Sequence, residues 1–274
     1  MGGMRLRVVQ IRHAERAAYQ ERLAALERLA SYPLGRDRFQ ISHGADYFAF
    51  FDRMGATHFF VALEGERVAA AGCGVLRRVP FRRGARPRRT WYLCDLKVHP
   101  EFRRRHIPLR MLRAGFCPRY LYAPRGYGIS MNPGDGSPNR VVRLVQHWRW
   151  SPLRLVGNLG IYSLDAAAMR DVWEVVERAR GPLSFSSPRG IKDIVLESTG
   201  QPMPLLHAQF GAERLEGAAS REPVAGHVHM LCCLESDPLA AALAERGHAP
   251  GATASVVAHG MRGCDWEFVL TSEI

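Results

Sequence analysis

Lysine is almost missing from this chain: among 38 basic residues in 274, only Lys97 and Lys192 are not arginine. No apolar run approaches the roughly 20 residues that a membrane helix needs. The start, MGGMRLRVVQIRH, lacks the apolar core of a signal peptide, so a cytoplasmic protein without a membrane partner is expected. The six cysteines (73, 94, 117, 232, 233 and 264) show no CxxC spacing, which leaves small buried thiols in a reducing compartment as the expectation. The histidines at 207, 227, 229, 248 and 259 form no HExxH or Cys-His pattern, so no metal is expected. There is no tandem repeat and no low-complexity tract.

The 47% hydrophobic and 23% charged content is that of a soluble globular protein with room for a large core. Its net charge of +12 is lopsided: residues 1–165 hold 29 Lys+Arg against 12 Asp+Glu, while residues 166–274 hold 9 against 14. An anionic ligand therefore belongs to the first part. Arginine in place of lysine suits phosphate, and it equally follows from a GC-rich genome.

Along the chain, residues 5–12 alternate as a strand and 14–31 read as an amphipathic helix. A second short helix over 45–54 carries the aromatics Tyr47, Phe48, Phe50 and Phe51, for which a core role is expected. Residues 57–63 and 67–76, joined by Glu64-Gly65-Glu66, have a hairpin signature, and 77–89 form a loop with seven arginines. Further strands are expected over 127–131, 153–164, 191–196, 227–234, 253–259 and 266–270. Further helices are expected over 166–179, 204–210 and 238–246, and another should open near Asn139. The change of character at 165 suggests two units: 1–165, and a smaller α/β unit over 166–274 packed on it, closing over an acceptor site.

The densest stretch is 91–112, WYLCDLKVHPEFRRRHIPLRML. Trp91, Tyr92, Leu93, Leu96 and Val98 make a strand; Pro100 breaks it; Arg103, Arg104 and Arg105 form a basic turn. Ile107, Leu109, Met111 and Leu112 then suit one side of a helix. A helix start carries unpaired N–H groups and partial positive charge, so strand, basic turn and helix together read as a phosphate cradle.

With Val98-His99-Pro100 leading into Arg103, and with this order of elements around it, the region 1–165 resembles the GNAT superfamily of acyl-CoA-dependent N-acyltransferases. The resemblance implies a mixed, mostly antiparallel α/β sheet flanked by helices. It also implies acetyl-CoA, or another acyl-CoA, as co-substrate. By the family pattern, the backbone of Leu96, Lys97 and Val98 would meet the pantetheine arm. Arg103, Arg104, Arg105, His106, Ile107 and Pro108 would cradle the pyrophosphate, and Asn139 would lie near the pantetheine. The family's small residues in that turn are here His106 and Pro108: one adds bulk, the other removes an N–H donor.

Acyl transfer to an amine needs a proton acceptor and a donor for the departing thiolate. By location Asp95 and His99 are the candidate bases, although Asp95 equally suits a buried partner for an arginine. The family's usual tyrosine, seven residues after the asparagine, is here Gln146, which leaves Tyr162 or Tyr127 as substitutes. The expected function is transfer of an acetyl or other acyl group to a small-molecule or peptide amine, by direct attack in a ternary complex. Two alternatives stand beside it: nucleic-acid binding through the arginines of 77–89, and an inactive GNAT-like scaffold. The oligomeric state is left open.

Overall fold

The computed structural model describes residues 6–135, 137, 139–147 and 152–274. In chain order the first part contains β1 (Arg7–Ile11), α1 (Arg16–Glu27), β2 (Tyr32–Leu34), β3 (Asp37–Ser42), α2 (Ala49–Asp52) and β4 (Ala56–Glu64). It continues with β5 (Arg67–Val79), β6 (Arg88–Val98), α3 (Ile107–Met111), β7 (Gly126–Met131), α4 (Arg140–His147) and β8 (Arg154–Leu164). The rest contains α5 (Ala166–Arg180), β9 (Leu183–Ser186), β10 (Asp193–Leu196), β11 (Leu205–Phe210), β12 (Val228–Leu234), α6 (Pro238–Glu245) and β13 (Ala252–His259).

Ten strands form one sheet in the order β1-β4-β5-β6-β7-β13-β8-β12-β11-β9, and β10-β3-β2 form a second. The large sheet is mostly antiparallel; within it β6 runs parallel to β7, and β11 to β12. This is the mixed α/β sheet flanked by helices that the resemblance implied. The sheet passes through residue 165 without a break, and β13, late in the chain, lies between β7 and β8.

Period-two alternation sends successive β8 side chains to opposite faces. Leu159 and Ile161 join the central core, whereas Tyr162 and Leu164 pack with Met169, Val172 and Val176 of α5 and Leu239 and Leu243 of α6. On the other half of the sheet Phe60, Ala62, Ala69 and Ala70 pack against Phe102, Ile107 and Met111. Fully burying one such large side chain is worth about 1.5–3 kcal/mol.

Several local expectations are corrected. Residues 204–210 are not a helix but β11, because pairing with β9 and β12 on either side overrides local propensity. Residues 266–270 form no strand: Trp266 adopts φ +64°, and Trp266, Val269 and Leu270 are buried as an irregular segment ending in a short turn. The loop expected over 77–89 is narrower, covering 80–87, since β5 runs to Val79 and β6 starts at Arg88. Strands β2, β3 and β9 have no counterpart among the sequence expectations. Leu29 lies beyond the end of α1 and is exposed.

Candidate active site

Strands β6 and β7 pair over only three positions, Trp91 with Gly126, Tyr92 with Tyr127 and Leu93 with Gly128. Beyond these, β7 stays with β13 while β6 stays with β5. The cause lies in β6 itself. Between the pairs Cys73–Cys94 and Ala71–Lys97 the ladder skips Asp95 and Leu96 on β6 but only Gly72 on β5. This is a bulge, and Asp95 at φ +59° bends the strand away from β7. Gly128 permits the last close approach: a Cβ there would stand 3.1 Å from the Leu93 carbonyl oxygen.

After β6, His99 caps a short turn by accepting a hydrogen bond from the Glu101 N–H at 3.4 Å. Arg104 and His106 then adopt φ +66° and +52°. His106 takes a left-handed conformation that favours glycine, and its side chain is exposed, so its bulk points out of the turn. Pro108 sits in the first turn of α3, where an N–H has no helical partner in any case. The first return bond runs from the Arg110 N–H to the His106 carbonyl, which leaves the Ile107 and Leu109 N–H groups without one. Arg105 is tied to Glu64 at 2.7 Å, while Arg103 and Arg104 make no ion pair among the described residues.

The opening between β6 and β7 leads to a cavity of about 300 Å³. Its walls are mostly apolar, including Phe50, Phe51, Ile161, Ile194 and Met230, with Asp95, Lys97, His43 and Lys192 among them. Both lysines of the chain are thus buried at one site. Lys97 Nζ lies 2.9 Å from Glu27 Oε1 and also contacts Asp95 Oδ1. Asp95 Oδ2 accepts the Tyr47 hydroxyl at 2.8 Å. Glu27 Oε2 is 3.1 Å from His43 Nε2, and His43 Nδ1 is 3.3 Å from the Ile191 carbonyl oxygen.

Burial pushes the Glu27 carboxyl up to about 7, with Lys97 pulling the other way. Burial depresses His43 to about 3, helped by repulsion from Lys97 and Lys192. For Lys97 burial opposes the charge, but Asp95, Tyr47 and Glu27 outweigh it and hold the ammonium well above its usual range. Glu27, His43 and Asp95 bring their ligating atoms within 4.8 Å of one another. The Lys97 ammonium, in contact with both carboxylates, already supplies a cation there.

Residues 16–115 match the Acetyltransferase (GNAT) family. The matched residues run from α1 to just past α3 and carry the GNAT resemblance. An uncharacterized protein of Acanthamoeba polyphaga mimivirus, L340, is 20% identical over 234 residues, 84% of this chain and 68% of that one. Among solved structures, a tandem GNAT protein from the clavulanic acid biosynthesis pathway is 13% identical, covers 93% of this chain and 98% of its own, and has a TM-score of 0.49. A GCN5-related N-acetyltransferase from Anabaena variabilis is 7% identical over 95% of this chain and 74% of its own, with a TM-score of 0.48. The GNAT match supports acyl transfer from an acyl-CoA to an amine in general.

The fold brings some of the expected site residues together and disperses others. Asp95, Leu96, Lys97 and Pro108 line the cavity, and Ile107 anchors the turn from the core. Val98 continues the pairing with β5. His99 is occupied as a cap, ring against Phe102, and does not line the cavity. Tyr162 is not at the site: it packs under α5 and α6 on the opposite face of the sheet, where burial lifts its hydroxyl to about 12. Tyr127 is likewise core, stacked on Tyr92. Asn139 is spent structurally, donating to the Ser130 and Met131 carbonyls while its oxygen accepts from the Val141 and Val142 N–H groups. It thereby fixes α4, whose Val141, Leu144 and Val145 line the cavity.

Glu27, His43, Tyr47 and Lys192 were not among the expected site residues. Glu27 had a signal, because it follows Leu23 by four residues and so sits on the buried stripe of α1. The scarcity of lysine was the signal for Lys192.

Proposed function

We propose that the protein is an N-acyltransferase that takes an acetyl or other acyl group from acyl-CoA and delivers it to an amine in the cavity between β6 and β7. The observation that carries this reading is the bulge at Asp95. It parts the two strands and sets a buried carboxylate at the mouth of a mostly apolar pocket. The unpaired backbone of Leu96 and the turn from Arg103 to Pro108 would then hold the pantetheine arm and pyrophosphate of acyl-CoA. Arg103 and Arg104 are free to add charge. A small-molecule acceptor fits this cavity best, since the buried Phe50, Ile194 and Met230 line it.

Chemically, the amine attacks the thioester carbonyl directly and loses a proton, and the thiolate of CoA gains one. Asp95 is the carboxylate placed to receive that proton. Two carboxylates and one ammonium carry one surplus negative charge, so Glu27, poised near 7, lets the cluster take up a proton and reach neutrality. Tyr47 and Lys97 orient Asp95. Holding amine and thioester together supplies the rest of the rate.

The test is acetyl-CoA protection against thermal unfolding, followed by release of free CoA thiol with a panel of amines. No protection at millimolar acetyl-CoA would sink the reading. The arginines of 77–89 favour no second reading. Arg77 pairs with Glu273 at 2.8 Å, Arg83 bonds the Ala179 carbonyl, Arg82 the Gly263 carbonyl, and Arg88 lies over Phe81.

A further inference from the structure

Lys192 is the charge in the cavity that nothing answers. It immediately precedes β10, whose Asp193 pairs with Ser42, and so stands beside His43. It is 6% exposed and lines the cavity. Its Nζ lies 4.8 Å from the Phe50 ring centre, a ring that Arg53 also approaches at 4.9 Å. Among the described residues no carboxylate lies within 4.0 Å of Lys192, and its ammonium makes no hydrogen bond. Glu27 is near enough to feel its charge, but Glu27 is in contact with Lys97 and His43.

The other polar groups at this end supply no anion. His43 is neutral, its single N–H facing either the Glu27 carboxylate or the Ile191 carbonyl, and His207 Nδ1 is 2.9 Å from Thr271 Oγ1. Burying an unpaired ammonium costs several kcal/mol, and a cation–π contact returns only about 0.5–2 kcal/mol. Such a group, lining a pocket, either gives up its proton or is held as an ammonium by a ligand that brings the negative charge. One ammonium among apolar walls, without an arginine fork or a nest of N–H groups, matches a monoanion better than a phosphate.

We propose that Lys192 is an anion subsite that receives the carboxylate of the acceptor, which makes the acceptor amino-acid-like: an amine and a carboxylate joined by an apolar body. This rests on the acyl-transfer reading of the cavity, with the amine at the Asp95 end. Burial and repulsion from Arg53 bring the Lys192 amine down to about 7; a bound carboxylate would raise it.

Because the chain has two lysines, protein carrying isotope-labelled lysine gives two side-chain signals, and Lys192→Met assigns them. The probes are isocaproate and its neutral isostere isocaproamide, titrated by NMR and calorimetry with and without CoA. The expected result is a saturable shift of the Lys192 signal by isocaproate, about tenfold or more weaker binding of the amide, and loss of that preference in Lys192→Met. Equal binding of acid and amide, no binding of the acid, or a preference that survives in Lys192→Met each overturns the proposal. Acetyl-CoA protection without any carboxylate effect removes the subsite and leaves acyl transfer standing. A carboxylate effect without acetyl-CoA binding does the reverse.

Discussion

Lys97 Nζ stands 2.9 Å from Glu27 Oε1, and both side chains are sealed from solvent, at 8% and 4% exposure. Through this contact the last residue of α1 is fastened to the bulge of β6, the feature that opens the cavity. The same ammonium contacts Asp95, so one cation holds the left-handed residue in place from the far side of the bulge.

Removing that cation should therefore be costly. Lys97→Met leaves two buried carboxylates facing each other, and a loss of about 3–5 kcal/mol in unfolding free energy is expected from urea denaturation. The double change Lys97→Met with Glu27→Gln should recover part of it. Wild-type stability for the single variant would remove Lys97 from this role.

Glu27 gives a pH signature. Its folded pKa of about 7 lies above the ordinary 4.5, so between these values the folded state binds more protons than the unfolded one. Stability contributed by this group is full below about 4.5 and is lost as pH rises to about 7. The advantage of wild type over Glu27→Gln in denaturation should thus shrink across that window and stay flat above it. A difference that grows with pH would contradict the assignment.

Lys192 carries the opposite signature. Its folded pKa of about 7 lies below the ordinary 10.5, so the unfolded state binds more protons in between, and wild-type stability from this group rises with pH over that range. Lys192→Met should stabilise the ligand-free protein, most strongly below about 7 and hardly at all near 10.5. Thermal unfolding of both proteins across the pH range measures it; a destabilised variant at neutral pH would count against a buried, unpaired ammonium.

Gly72 faces the bulge from β5. A Cβ there would meet Met111 Cε at 3.4 Å and Leu96 Cδ1 at 3.7 Å, ordinary contacts with flexible groups. Gly72→Ala should fold normally, whereas Gly72→Leu fills the cavity mouth and should weaken acetyl-CoA protection by about tenfold, a cost of ~1.4 kcal/mol. Gly128→Ala is different in kind, because its Cβ would press on the Leu93 carbonyl at 3.1 Å. It should destabilise the protein by about 1–3 kcal/mol. Unchanged acetyl-CoA binding in Gly72→Leu would place the cofactor elsewhere.

Much of the site was legible in residues close together in the chain. The strand, basic turn and helix start over 91–112 follow from alternation, Pro100 and the spacing of Ile107 and Met111. These are local signals that tertiary packing left intact. Asp95 and Lys97 were found because they belong to that unit. Tyr162 and His99 were misplaced for a different reason. Which face of β8 meets the cavity depends on register against β13 and β12, and whether His99 faces in or caps a turn depends on the path after β6. Neither is written in local composition.

The amino-acid sequence by itself determined the hairpin of β4 and β5, the β6-to-α3 unit, the amphipathic helices and the lopsided charge, since each depends on periodicity or composition over a few turns. Only the tertiary structure decided that β13 enters between β7 and β8, and that Arg77 and Arg83 spend their charge on Glu273 and Glu267 of the acidic part. It alone brought Glu27, Tyr47 and Lys97 around Asp95. Those meetings join segments far apart in the chain and are set by strand register and core packing, which close only when the whole sheet is formed.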